Sequence, residues 1–327
     1  MKIETYLQLK KESEGNDAFG LKLGDELVKS SGLISLPLND FGNPKLRIEI
    51  INESELNLMK TRFPKYFENE ALLVFHFSIE FDFEPVYDFD MSGFPSCLTN
   101  EKLNESTLFG IYRSRFFNFL VFTQLAVPGS LETFKGFHLA NNEFREDFRE
   151  ISSCLIRLGY EEKSSWPNIK TIQIDKVWKY IINKTNILNS ESSTKIERGL
   201  NAFSYLYDEN NSSPNNLFWS MTGIEALYVD GNNGIGYQIN NKAKLFLGEP
   251  LENKQVLTKL YNYRSRFLHG EKSIPLNQGW LDCEFTDKHD LEFSDNGLVS
   301  AKLLTATLQE IILKDIVKFD FEYKLKN

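Results

Sequence analysis

A chain of 327 residues, 41% of them apolar, can bury a full core and is long for one domain, so two domains are the natural expectation. Its net charge of −9 and pI near 5.2 exclude a chain-wide positive field that would draw in nucleic acid, so any such contact must be local, as at the basic cluster of Lys259, Arg264, Arg266, His269 and Lys272, diluted only by Glu271. Cys97, Cys154 and Cys283 stand far apart without metal-ligand spacing, and no apolar run is long enough for a bilayer. The chain therefore reads as reduced and cytoplasmic, with no membrane segment, metal or cofactor.

Residues 1–100 read as a β-rich domain. Lys45 to Ile51 alternates, as does Leu73 to Phe83, which sets Leu73, Phe75, Phe77, Ile79, Phe81 and Phe83 on one face. His76 falls on the other face with Ser78, Glu80 and Asp82, where exposure is expected. Turn residues cluster at Asn39 to Pro44 and at Ser92 to Pro95.

From Asn104 the texture becomes helical. Leu108 to Ala126 has the length and apolarity of a helix and stops at Pro128-Gly129. It contains Tyr112-Arg-Ser-Arg-Phe-Phe-Asn118, a near copy of Tyr263-Arg-Ser-Arg-Phe-Leu-His269 whose flanks do not match. Asn118 stands where the second copy has histidine, and asparagine cannot shuttle a proton. His138 is expected to be structural or exposed. Asn142 to Leu158 is expected to be a mixed-charge helix, broken at Ser164 to Asn168 before helix resumes at Asp175 to Lys184.

Asn189 to Thr194 reads as a connection. Helical patterns follow over 195–207, 215–229, 237–247, 252–269 and 297–317. The glycine run from Asp230 to Gly236 lacks the Lys-[Ser/Thr] ending and preceding strand of a phosphate loop and reads as a flexible connector. His289 lies in a charged stretch expected to be a solvated loop. The fold class is α+β, with a β-rich domain over residues 1–100, a helical region over 101–327 and a helical core at about 195–320.

The helix ending at His269 carries two residues that a plain core helix does not need. Val256, Leu257, Leu260, Tyr261, Phe267 and Leu268 recur at helical steps, and Arg264 sits in the middle of that stripe. His269 precedes Gly270, a left-handed stop, where a helix C-terminus favours a protonated imidazole. A guanidinium on an apolar stripe needs a carboxylate. Glu225 is similarly misplaced, seven residues after Phe218 and four after Met221, so Arg264 and Glu225 are expected to pair.

Arg264-Ser-Arg-Phe-Leu-His269 resembles the R-x4-6-H motif of HEPN domains. The order of elements resembles the Apea-like branch: an amphipathic helix from Lys195 to Tyr207, Trp219 to Tyr228 with its Ile-Glu-Ala-Leu, a short Lys-rich helix, then Leu260 to Gly270. The likeness covers roughly Lys195 to Val317, and Ser265 stands where the family commonly has asparagine. It implies an all-α bundle acting as a metal-independent endoribonuclease whose motifs meet across a homodimer. The residues implied are Arg264 and His269 as catalytic, with Ser265, Arg266, Glu225 and Tyr263 in support. In a prokaryotic setting such proteins resemble phage-defence effectors.

The chemistry is coherent. RNA carries its own nucleophile, the 2′-OH, beside the scissile phosphate, so one proton-transferring histidine and one phosphate-holding arginine form a minimal set. HEPN-like domains also serve as non-catalytic nucleotide- or RNA-binding or protein-interaction modules, which is the alternative reading.

Overall fold

The computed structural model describes residues 1–10, 17–67, 71–93, 95, 98–130, 133–148, 151, 166–189, 192–207, 213–250, 255–272 and 288–321. The fold is α+β. The chain divides into two compact units. Met1–Ser152 with Gln173–Ile182 forms one, and Ser153–Ile172 with Asn183–Asn327 forms the other.

The first unit is built on a five-stranded sheet in the order β2-β3-β1-β4-β5, antiparallel throughout. The strands are β1 (Lys2–Lys10), β2 (Arg47–Ile50), β3 (Ala71–Glu80), β4 (Thr133–Ala140) and β5 (Glu143–Asp147). Its helices are α1 (Asp17–Lys29), α2 (Glu53–Arg62), α3 (Asn100–Ala126) and α4 (Ile174–Lys184), the last through residue 182. Two strands therefore lie beyond residue 100, because β1 bonds to β4 along its second edge, with Ile3 opposite Ala140.

The alternation read in β3 is real: Phe75, Phe77 and Ile79 are all buried, and Phe77 meets Phe116 of α3 edge-on. The opposite face is covered as well, by Tyr6, Met59, Tyr66, Phe67 and Phe137 packed around Val74. That cover corrects the expectation for His76, which is only 11% exposed in its side chain. Its ring stacks on Tyr6, its cross-strand neighbour, and its Nε2 lies 2.8 Å from Oε1 of Glu4.

His138 is structural. It is buried with Nδ1 2.7 Å from the Thr5 hydroxyl, which itself lies 2.7 Å from the Tyr112 hydroxyl. Burial, helped by the Arg113 charge, pushes its pKa down to about 3, so the ring is neutral.

The helix expected from Asn142 is overturned for its described part, since Glu143–Asp147 is a strand. Asn141 and Asn142, both at positive φ, make the two-residue hairpin turn that returns β4 into β5. Residues 149, 150 and 152–158 of that expectation lie outside the described residues, as do the three cysteines. The near copy of the motif in α3 has a structural use: Arg115 is buried and donates to the Pro37 carbonyl and to Asn39, while Arg113 grips both oxygens of Glu146.

The second unit contains α5 (Lys195–Ser204), α6 (Ser213–Tyr228), α7 (Ile235–Leu247), α8 (Val256–Leu268) and α9 (Lys288–Leu313). A capping box opens α5: Thr194 accepts from the Glu197 N–H, and the Glu197 carboxylate takes the Thr194 N–H. Close approach joins α6 to α5 and α9, since a Cβ on Gly223 would stand 2.9 Å from Leu304 and 3.0 Å from the Ala202 Cβ. Tyr228 closes the same seam, its hydroxyl 2.8 Å from that of Thr307. The glycine run is a connector, as expected, but it is tied down: Asp230 accepts from Lys195 and Lys242, and Gln238 bridges the backbone of Asp230 and Asn233.

α9 begins at Lys288, so His289 lies in a helix and not in the loop expected for it. Gly297, read as the start, is buried inside the helix. Tertiary packing there outweighs the roughly 1 kcal/mol that glycine costs in a helix interior.

Candidate functional site at the end of α8

The apolar stripe of α8 sets the site. Leu257, Leu260 and Tyr263 are buried, and that anchoring turns Arg264 toward α6. Arg264 Nη2 donates to Oε2 of Glu225 at 2.9 Å, with the two side chains 20% and 21% exposed. The two charges misplaced on apolar stripes thus answer each other.

The pair is one-sided. Oε1 of Glu225 is buried with no hydrogen-bond partner among the described residues. Burial raises the Glu225 pKa, and the charge of Arg264 offsets this only in part. A bidentate arginine would serve both oxygens and hold the carboxylate more firmly ionised.

The helix then stops as its sequence requires. Gly270 takes φ +74°, the Glu271 N–H donates to the Arg266 carbonyl at 2.9 Å, and the Gly270 N–H to the Phe267 carbonyl at 3.1 Å. These are the two bonds of a Schellman motif. His269 is the capping residue itself, and its side chain is exposed. The carbonyl of Ser265 accepts the His269 N–H at 3.0 Å.

The other supporting residues divide between inside and outside. Arg266 is exposed, its Nε 3.3 Å from Oε2 of Glu271. Tyr263 is buried, with the Lys272 ammonium 4.7 Å from its ring centroid. No hydrogen bond or ion pair joins the His269 side chain to Arg264 among the described residues. Five residues turn an ideal helix by about 140°, so one copy of α8 points the two side chains apart.

Of the basic cluster legible in the sequence, Lys259, Arg266 and Lys272 face one cleft and Arg264 and His269 do not line it, while Asn262 and Asn296, which do, were missed. Tyr263 completes the lining of this cleft of about 360 Å³. Asn262, three after Lys259 and four before Arg266, was legible as part of that face. Asn296 was not, because it comes from α9 and joins the face only through tertiary packing.

Among the described residues no three His, Cys, Asp or Glu side chains converge as metal ligands, and no helix is long and apolar enough to cross a membrane. No family model, curated protein or solved structure matches the chain.

Proposed function

We propose that the helical unit is a metal-independent endoribonuclease of the HEPN type, working on RNA in the cytoplasm. The observation that carries this reading is the exposure of His269 at a fixed helix end, five residues from an arginine that keeps a fifth of its side chain in solvent. In the reaction the 2′-oxygen of RNA attacks the adjacent phosphorus and the bond from phosphorus to the 5′-oxygen breaks. The 2′-OH proton goes to a base and the departing 5′-oxygen receives one from an acid, giving a 2′,3′-cyclic phosphate and a 5′-hydroxyl. His269 performs one of these transfers, because imidazole changes charge near neutral pH.

Arg264 stabilises charge on the phosphoryl oxygens. One of its five donors is engaged by Glu225. The divergence of Arg264 and His269 on one helix is the reason to make the active form a homodimer. Two α8 helices side by side offer each arginine the other copy's histidine and supply an acid and a base together. Glu225 then positions Arg264, Ser265 and Tyr263 support the helix end, and Arg266 holds RNA backbone. The sheet unit serves as a sensor or specificity part, and a role as a defence effector fits this division.

A second reading rests on the same ion pair. If the Arg264–Glu225 contact serves only to fix α6 against α8, the unit is a non-catalytic nucleotide- or RNA-binding or interaction module. Incubating purified protein with single-stranded RNA in the presence of a chelator separates the two. Cleavage that disappears in His269→Ala supports the nuclease, whereas parent and variant cutting equally removes it.

A further inference from the structure

Besides the arginine directed at Glu225, α8 carries a second cationic face. Lys259, Asn262, Tyr263 and Arg266 follow at three- and four-residue steps, and with Lys272 beyond the cap and Asn296 of α9 they line the cleft of about 360 Å³. Three of these six residues are cations and none is acidic, in a chain whose net charge is −9. The two carboxamides add N–H donors. A concentration of cations against the sign of the whole chain creates a local field that favours an anion.

We propose that this cleft binds a phosphate group, carried either on a small phosphorylated ligand or on an oligonucleotide backbone. Phosphate suits it better than a carboxylate because its oxygens accept several charge-assisted hydrogen bonds at once, from a guanidinium and two ammonium groups placed around it. The cleft has room for a phosphate with an attached sugar, at the small end of ligand sites. Arg266 has a built-in competitor, since its Nε lies 3.3 Å from the largely exposed Glu271 carboxylate. An incoming phosphate displaces that carboxylate. The site is separate from the Arg264–Glu225 pair, and its occupancy does not depend on whether the protein cleaves RNA.

Isothermal titration of the full chain with inorganic pyrophosphate, and separately with a six-nucleotide single-stranded DNA, tests this. DNA lacks the 2′-OH and so stays intact. At least one probe is expected to bind, and Lys259→Gln and Arg266→Gln are each expected to weaken it about tenfold. Glu271→Gln should tighten binding several-fold, an opposite sign that a general loss of structure does not produce. For the DNA probe, each lost lysine or arginine contact should reduce the salt slope by about one. Pyrophosphate binding as tightly as DNA identifies a small ligand, and tight binding of DNA alone identifies a backbone phosphate. No binding of either probe at about 1 mM overturns the proposal, as does binding unchanged in a Lys259→Gln/Arg266→Gln/Lys272→Gln variant whose circular dichroism matches the parent. His269→Ala should bind both probes like the parent, which separates failure of this site from failure of cleavage.

Discussion

Arg264 of α8 serves one oxygen of Glu225 on α6, at 2.9 Å, and leaves the other oxygen buried without a partner. The pair is thus neither a surface ion pair of little consequence nor a fully satisfied buried one.

Removing one partner should therefore hurt more than removing both. Arg264→Met leaves a largely buried carboxylate alone and is expected to cost about 2 kcal/mol, less than the roughly 3–5 kcal/mol of a fully buried pair because a fifth of each side chain still meets solvent. Arg264→Met/Glu225→Leu should recover most of that loss. Urea unfolding of the four members of the cycle measures it, and a double variant no more stable than Arg264→Met refutes the account.

Glu225 also predicts a direction with pH. Its folded pKa is raised above the ordinary value of 4.5, so the folded state binds the proton more tightly than the unfolded chain. Its favourable contribution is full below 4.5 and is lost as pH rises through the raised value. The stability difference between parent and Glu225→Gln should shift against the parent across that interval.

Glu197 predicts the reverse. Burial pushes its carboxyl up, but hydrogen bonds from the backbone of Asn186, Ser193 and Thr194 and from the Ser193 hydroxyl outweigh this and bring it down to about 2. The stabilisation, on the order of 3 kcal/mol, is present above pH 4.5 and is lost as pH falls toward 2. In acid titration followed by far-ultraviolet circular dichroism, Glu197→Gln should be less stable than the parent at neutral pH and lose less on acidification.

The proposed composite site requires a second copy. Light scattering is expected to report a homodimer under conditions where RNA is cut, and mixing Arg264→Ala with His269→Ala should restore part of the activity by building one arginine–histidine pair across the two copies, with the second histidine still missing. An active monomer would sink the composite picture, since a single α8 turns the two side chains about 140° apart.

Legibility in the sequence followed the range of the interaction. The helix end at Gly270 after His269, written by local chemistry, was plain, and so was the alternation of β3, whereas the equally local cap of Thr194 with Glu197 was passed over as a connection. The Arg264–Glu225 pair was readable although long-range, because two opposite charges each broke an apolar stripe. His76 was misread because the cover on its face, Tyr6 and the residues around Val74, comes from distant segments. Glu143–Asp147 was misread as helix because its charges mask a strand, while the informative signal was the Asn141-Asn142 turn before it. The cleft residue Asn296 had no local signature at all.

The place of β1 in the sheet has a consequence for synthesis. Of the five strands of this sheet the earliest in the chain is the central one, with β3 on one side and β4 on the other, and its pairing with β4 joins residues nearly the whole unit apart. As the chain leaves the ribosome, β1 must wait for residue 140 before both its edges are occupied. Pairings of such long sequence separation form slowly. An expression fragment ending at residue 100 would keep β1 permanently open along one edge, a template for intermolecular strand addition. A fragment that includes β4 and β5 closes that edge.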